Sequence, residues 1–150
     1  MQEGIQANVQ VQAQMQFDWK QMHTFEAYVG GFVGMSYIIK YVTHENRLTY
    51  RAFEQSLDQD EIDLEEIGLK KREQKWGCPV LHVLSEGLDA CAFAEWQDRY
   101  EMDCMDGTHW YVQIQWTDGE QIRKSGSNDF PSQWKAFCKL MKRITGKAFE

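Results

Sequence analysis

Proline is nearly missing from this chain: Pro79 and Pro131 are the only two in 150 residues. That scarcity, with an apolar share of 43%, excludes a Pro-rich linker or a low-complexity polymer and points to one folded domain over residues 1–150. No stretch approaches the roughly 18 consecutive apolar residues of a membrane span. No basic segment followed by an apolar core opens the sequence, so no signal peptide is expected and the expected location is the cytoplasm. There is no C-x-x-C pair and no close pair of histidines. Without a secretory signal, Cys78, Cys91, Cys104 and Cys138 read as reduced, buried thiols.

Positive charge is also short, and unevenly so. Residues 1–108 carry 9 basic and 19 acidic side chains (−10), whereas 109–150 carry 7 and 4 (+3). An acidic body argues against broad nucleic-acid binding, because phosphates need a basic footprint. The basic C-terminal portion leaves one exception open.

What is present is alternation. Trp110, Val112, Ile114 and Trp116 alternate with Tyr111, Gln113 and Gln115, the period of a half-buried strand. Asp118-Gly119 suits a two-residue hairpin turn, Ile122 continues a return strand, and 125–129 (Ser-Gly-Ser-Asn-Asp) should break it. Pro131 then opens a helix whose apolar stripe is Trp134, Phe137, Met141 and Ile144. Residues 5–17 alternate from Ile5 to Phe17 with amides between, which predicts a long strand with one packed face. Such a strand could pair with a second copy of the chain. Strands are also predicted over 23–32, 37–42 and 47–53, with Gly30, Gly31 and Gly34 at bulges or a turn. A helix is expected from Pro79 to about Tyr100, with Gly87 marking close packing or a break. Tyr100, Met102 and Cys104 suggest a short strand that Asp106-Gly107 turns back into the strand from His109. The sum is an α+β fold: an antiparallel sheet of about six strands, in meanders and hairpins, with two helices packed on one face.

Chemistry is harder to find. Asp58-x-Asp60 resembles the start of a calcium loop, but Asp63 stands where glycine is required and Leu69 where a bidentate acid is required. Cys78 and His82, four apart on a helix, lack the further ligands of a zinc site. No G-x-S-x-G elbow or other nucleophile signature accompanies Cys78, Cys104, Ser125, His82 or His109. No metal, cofactor or catalytic residue is therefore expected.

Two binding surfaces remain. Glu54 to Glu66 holds seven acids and no base, and reads as an exposed loop or short helix. Asp58, Asp60, Glu61, Asp63, Glu65 and Glu66 would engage a protein partner with a basic surface, as inhibitors, immunity proteins and nucleic-acid mimics do. The alternative is a small-molecule or nucleotide (anion) site on Arg123, Lys124, Ser125, Gly126, Ser127 and Asn128, a loop placed by this reading at the N-terminus of the last helix. The competing explanation of that loop is helix capping by Asn128 or Asp129, with Phe130 packed on Trp134. The run W-x-D-G followed by S-G-S-N-x-F-P-x-x-W resembles small bacterial or phage proteins, and that likeness implies no activity and no site residue.

Overall fold

The computed structural model describes residues 17–31, 34–54, 63–103 and 107–150. Three long antiparallel strands open the described chain: β1 (Met22–Gly31), β2 (Met35–Val42) and β3 (Arg47–Glu54). A short strand β4 (Glu65–Ile67) precedes two helices, α1 (Lys70–Trp76) and α2 (Val80–Ala90). Then come β5 (Arg99–Glu101), β6 (Thr108–Trp116), β7 (Gln121–Ser127) and α3 (Trp134–Thr145). The seven strands form one sheet in the order β4-β3-β2-β1-β6-β7-β5, with the three-residue strands β4 and β5 at its two borders.

The α+β class and the largely antiparallel pairing stand, and three details of the expectation change. Among the described residues the sheet has seven strands and is mixed, because β5 pairs with β7 in parallel. There are three α-helices among the described residues; α1 has no apolar period beyond Trp76, so nothing in its sequence marked it as a packed element. β5 does not fold back on β6 but lies beyond β7. Residues 1–16, which include all but the last position of the expected 5–17 strand, lie outside the described residues.

Period-two alternation sorts the sheet into two faces. Phe25, Ala27 and Val29 stand opposite Tyr41, Ile39 and Tyr37 on one side and Ile114, Val112 and Trp110 on the other. This face is buried beneath α2 and α3, whose Val80, Val83, Leu84 and Leu88, and Trp134, Phe137, Leu140, Met141 and Ile144, join the same core. Trp110, Phe93 and Phe137 are fully enclosed, each aromatic removed from water contributing about 1.5–3 kcal/mol. Gly87 is the expected close contact: a Cβ there would overlap the Leu140 side chain, so its absence lets α2 and α3 approach.

Several boundaries move for local reasons. The helix from Pro79 stops at Ala90, because Ala92 turns left-handed (φ 52°) and Phe93–Glu95 tightens into a 3₁₀ turn that drops Trp96 into the core. The hairpin from β6 to β7 is a four-residue turn over 117–120, in which only Gly119 has positive φ (90°) and Asp118 caps Glu120 N–H at 2.9 Å. α3 begins at Trp134, and Pro131 lies one turn earlier, its carbonyl accepting from Trp134 N–H at 3.0 Å. Gly34 takes the turn between β1 and β2 with φ 87°, while Gly30 and Gly31 stay within β1.

Candidate functional site

The face of the sheet opposite the helices carries the chemistry. Cross-strand register builds three rows across it. Lys40, Glu26, Gln113 and Arg123 form the first, Tyr28, Tyr111, Ser125 and Arg99 the second, and His109, Ser127 and Glu101 the third. The members on β1, β2 and β6 are brought there by alternation with buried neighbours such as Phe25, Ala27, Ile39, Tyr41, Val112 and Ile114.

The rows interlock. Tyr28 and Tyr111 stack with centroids 5.4 Å apart and planes 20° apart. Arg123 lies over the Tyr111 ring at 4.1 Å and donates through Nη1 to Gln113 Oε1 at 2.9 Å. The Tyr111 hydroxyl donates to Glu26, which also pairs with Lys40 at 3.4 Å. Burial, and then the bond to Glu26, push the Tyr111 phenol well above its ordinary value, with Arg123 acting the other way. It is therefore a neutral donor at any physiological pH. Beside this platform a groove of about 420 Å³ is lined by Tyr28, Arg99, His109, Tyr111, Arg123, Ser125 and Ser127, together with Glu101 and backbone of Gly126. Its loosest partnership is Arg99–Glu101, 3.9 Å apart with both side chains exposed, so Arg99 is available to a ligand.

The segment 123–129 is not a loop at a helix N-terminus. Arg123 to Ser127 belong to β7, paired with β6 throughout and with β5 from Ser125 to Ser127, and α3 starts only at Trp134. The pairing of β7 explains this: backbone groups that a Ser-Gly-Ser run would leave free are bonded to β6 and β5. The six predicted anion-site residues consequently separate. Arg123, Ser125 and Ser127 face the groove. Lys124 points the other way, 4% exposed, donating from Nζ to the Trp96 carbonyl beside the Phe93 ring, and burial lowers its pKa, an effect Asp98 partly offsets. Gly126 is small because a Cβ would overlap the Trp110 indole nitrogen. Asn128 (φ 58°) neither caps α3 nor lines the groove: its Oδ1 accepts from Thr108 N–H at 2.8 Å and its Nδ2 donates to the Met102 carbonyl at 3.3 Å. Phe130 does pack on Trp134, with centroids 5.2 Å apart.

Of the acidic set, Asp58, Asp60 and Glu61 lie outside the described residues. Asp63, Glu65 and Glu66 are exposed, the last two on border strand β4 and not on a loop or helix. Glu65 pairs with Lys147 at 3.6 Å, and the Asp63 carbonyl accepts from Arg51 Nη1 at 3.1 Å.

The arrangement suits binding better than covalent catalysis. Across the third row Ser127 stands between His109 and Glu101, whereas an activated serine needs the imidazole between itself and the acid. Elsewhere, His82 pairs with Glu86 at 3.1 Å, and Cys78, Cys91 and Cys138 are free thiols. No group of three His, Cys, Asp or Glu among the described residues gathers closely enough to share a metal ion. Sequence reasoning missed Tyr28, Arg99 and His109 as members of the site. The usable signal was period two read through QIRKSGS, which separates Arg123, Ser125 and Ser127 from Lys124.

No protein-family model matches the chain, and neither the curated proteins nor the solved structures compared with it give a significant match. No helix among the described residues is long and apolar enough to cross a membrane.

Proposed function

We propose that this protein is a non-enzymatic binding module that holds an anionic ligand with an adjoining planar group, of the phosphorylated-nucleoside type, on its open sheet face. The observation that carries the reading is the placement of Arg99 across from Ser125 and of Arg123 two residues along the same strand as Ser125, beside the stacked Tyr28–Tyr111 pair. Guanidinium groups recognise phosphate by paired N–H donors, serine hydroxyls complete its shell, and a tyrosine face accepts a planar ring. Titration calorimetry with a nucleoside triphosphate, and with inorganic phosphate as the minimal probe, tests it. The double substitution Arg99→Ala/Arg123→Ala should weaken nucleotide binding at least about tenfold, the loss of roughly 1.5–3 kcal/mol expected for a charged hydrogen bond. Its thermal midpoint should stay close to the parent's, since both side chains are exposed. A parent protein that binds neither probe removes the reading.

A second reading has its own support. Asp63, Glu65 and Glu66 are exposed beside a sheet border, and with Asp58, Asp60 and Glu61 they would capture a partner with a basic surface. Converting the six acids to their amides should abolish capture of a cationic protein partner in a pull-down while circular dichroism stays unchanged. Undiminished capture would dispose of it.

A further inference from the structure

Nine of the 16 basic residues sit on two of the helices or just beyond the last: Lys70, Lys71, Arg72 and Lys75 in α1, Lys135, Lys139, Lys142 and Arg143 in α3, and Lys147 close behind. With Glu73 on α1, Glu86 and Asp89 on α2 and Glu150 at the end, the helical layer balances at +5, while the other described residues hold seven bases and 14 acids, a balance of −7, so the described protein is polarised toward its helical layer. The two helices are joined there. Arg72 Nη1 donates to the Arg143 carbonyl at 3.3 Å, and its guanidinium packs over Gly146, where a Cβ would collide with it. Arg72 thus satisfies an end carbonyl of α3 and brings the α1 bases to the C-terminal end of the α3 row.

We infer that this helical layer is a second binding surface, independent of the sheet face, and that it fits the phosphate backbone of a nucleic-acid duplex without reading its sequence. The α3 row is fixed and unspent. Trp134, Phe137, Leu140, Met141 and Ile144 anchor the helix in the core, which leaves Lys135, Ala136, Lys139, Lys142 and Arg143 exposed. Of the nine bases only Lys147, with Glu65, is in an ion pair among the described residues. Of the nearby acids, Glu73 is turned to Asn46 and to the Val80 N–H, and Glu150 shares the small hollow lined by Lys135, Cys138, Lys139 and Lys142.

The residues that are missing from the surface select among polyanions. The large exposed hydrophobics among the described residues are Met35 and Met102, neither of them on α1 or α3. A membrane-binding helix needs an apolar face to insert, and the apolar face of α3 is already spent on the core. A protein interface needs aromatic or aliphatic anchors at its centre and is depleted of lysine. Single strands are held by stacking on exposed aromatics, which this layer lacks. Duplex phosphates need only fixed positive charge, which positions the partner without specifying sequence. The negative balance of the other described residues disfavours contact elsewhere on them.

Fluorescence anisotropy with a labelled duplex of mixed sequence, at salt concentrations from roughly 50 to 200 mM, tests the inference. The intact chain should bind with an affinity that falls steeply with salt and does not change when the duplex sequence is scrambled. Lys135→Gln/Lys139→Gln/Lys142→Gln should weaken binding more than about tenfold and flatten the slope of log K against log salt by about one for each phosphate no longer engaged. These side chains are exposed, and an unaltered circular dichroism spectrum would show that the fold survives. Arg99→Ala/Arg123→Ala should leave duplex binding unchanged. No duplex binding, stronger binding to anionic vesicles or to a poly-glutamate peptide than to duplex, or a triple variant indistinguishable from the parent would each overturn it.

Discussion

Tyr41 is 1% exposed and donates its hydroxyl to Asn46 Oδ1 at 2.7 Å. Asn46, left-handed at φ 47°, passes the connection to Glu73, which in turn accepts from the Val80 N–H at 2.9 Å, the first residue of α2. One phenol thus ties the β2–β3 turn to a helix start. Burial, and then the nearby charge of Glu73, push the Tyr41 pKa from 10.0 up to about 12. A group whose pKa is higher folded than unfolded gives stability that is complete below the unfolded value and is lost as pH rises through the folded one. Chemical denaturation between pH 9 and 12 should therefore show unfolding free energy falling from pH 10 upward, by at most about 1.4 kcal/mol per pH unit from this residue. Tyr41→Phe should cost about 1 kcal/mol at neutral pH and remove that part of the alkaline slope. At this scale the sequence was a fair guide: apolar residues on the strict alternation, Phe25, Val112 and Ile114 among them, are buried as their spacing required. Lys124 was not legible as a core residue. A lysine inside a polar run is solvated by default, and only the partners above it, Phe93 and the Trp96 carbonyl, make its burial tolerable.

Elements were legible in proportion to their length. β1, β2, β3 and β6 span eight to ten residues each and announce themselves by period two, as α3 does by its three-and-four stripe. β4 and β5 are three residues long, too short for any period, and the parallel docking of β5 on β7 depends on a connection no local signal describes. The candidate site suffers the same limit, because Tyr28, Tyr111, Arg123 and Arg99 come from four strands and meet only through pairing. Asn128 closes this assembly. Its side chain holds Thr108 at the start of β6 and Met102 just after β5, and its own N–H donates to the Thr108 carbonyl at 2.8 Å. Asn128→Ala should cost about 2–3 kcal/mol, combining a left-handed alanine with two lost bonds. Asn128→Gly should recover the backbone part, about 1 kcal/mol, and none of the rest, as urea denaturation of the two variants would show. Equal midpoints would assign the whole effect to the side-chain bonds.

For the molecule as a whole, composition foretold an acidic globule but not where its charge lies. The basic residues of 70–75 and 135–147 are separated in the chain by most of the second half of the sheet, and only the meeting of α1 with the end of α3 makes them neighbours. The class of fold was legible because a single helical layer over a one-sided sheet is what a chain of strands and two amphipathic segments must build. Polarity between the two layers was not, since it arises from folding and not from any stretch of sequence.

Among the described residues both borders of the sheet are three-residue strands, which has a bearing on crowding. A second molecule seeking to extend the array by main-chain zipping would find only a few consecutive amides on β4 or β5 before the chain veers away. At the described borders fibre growth is thereby given little template, and the broad polar face does not itself offer main-chain groups for polymerisation.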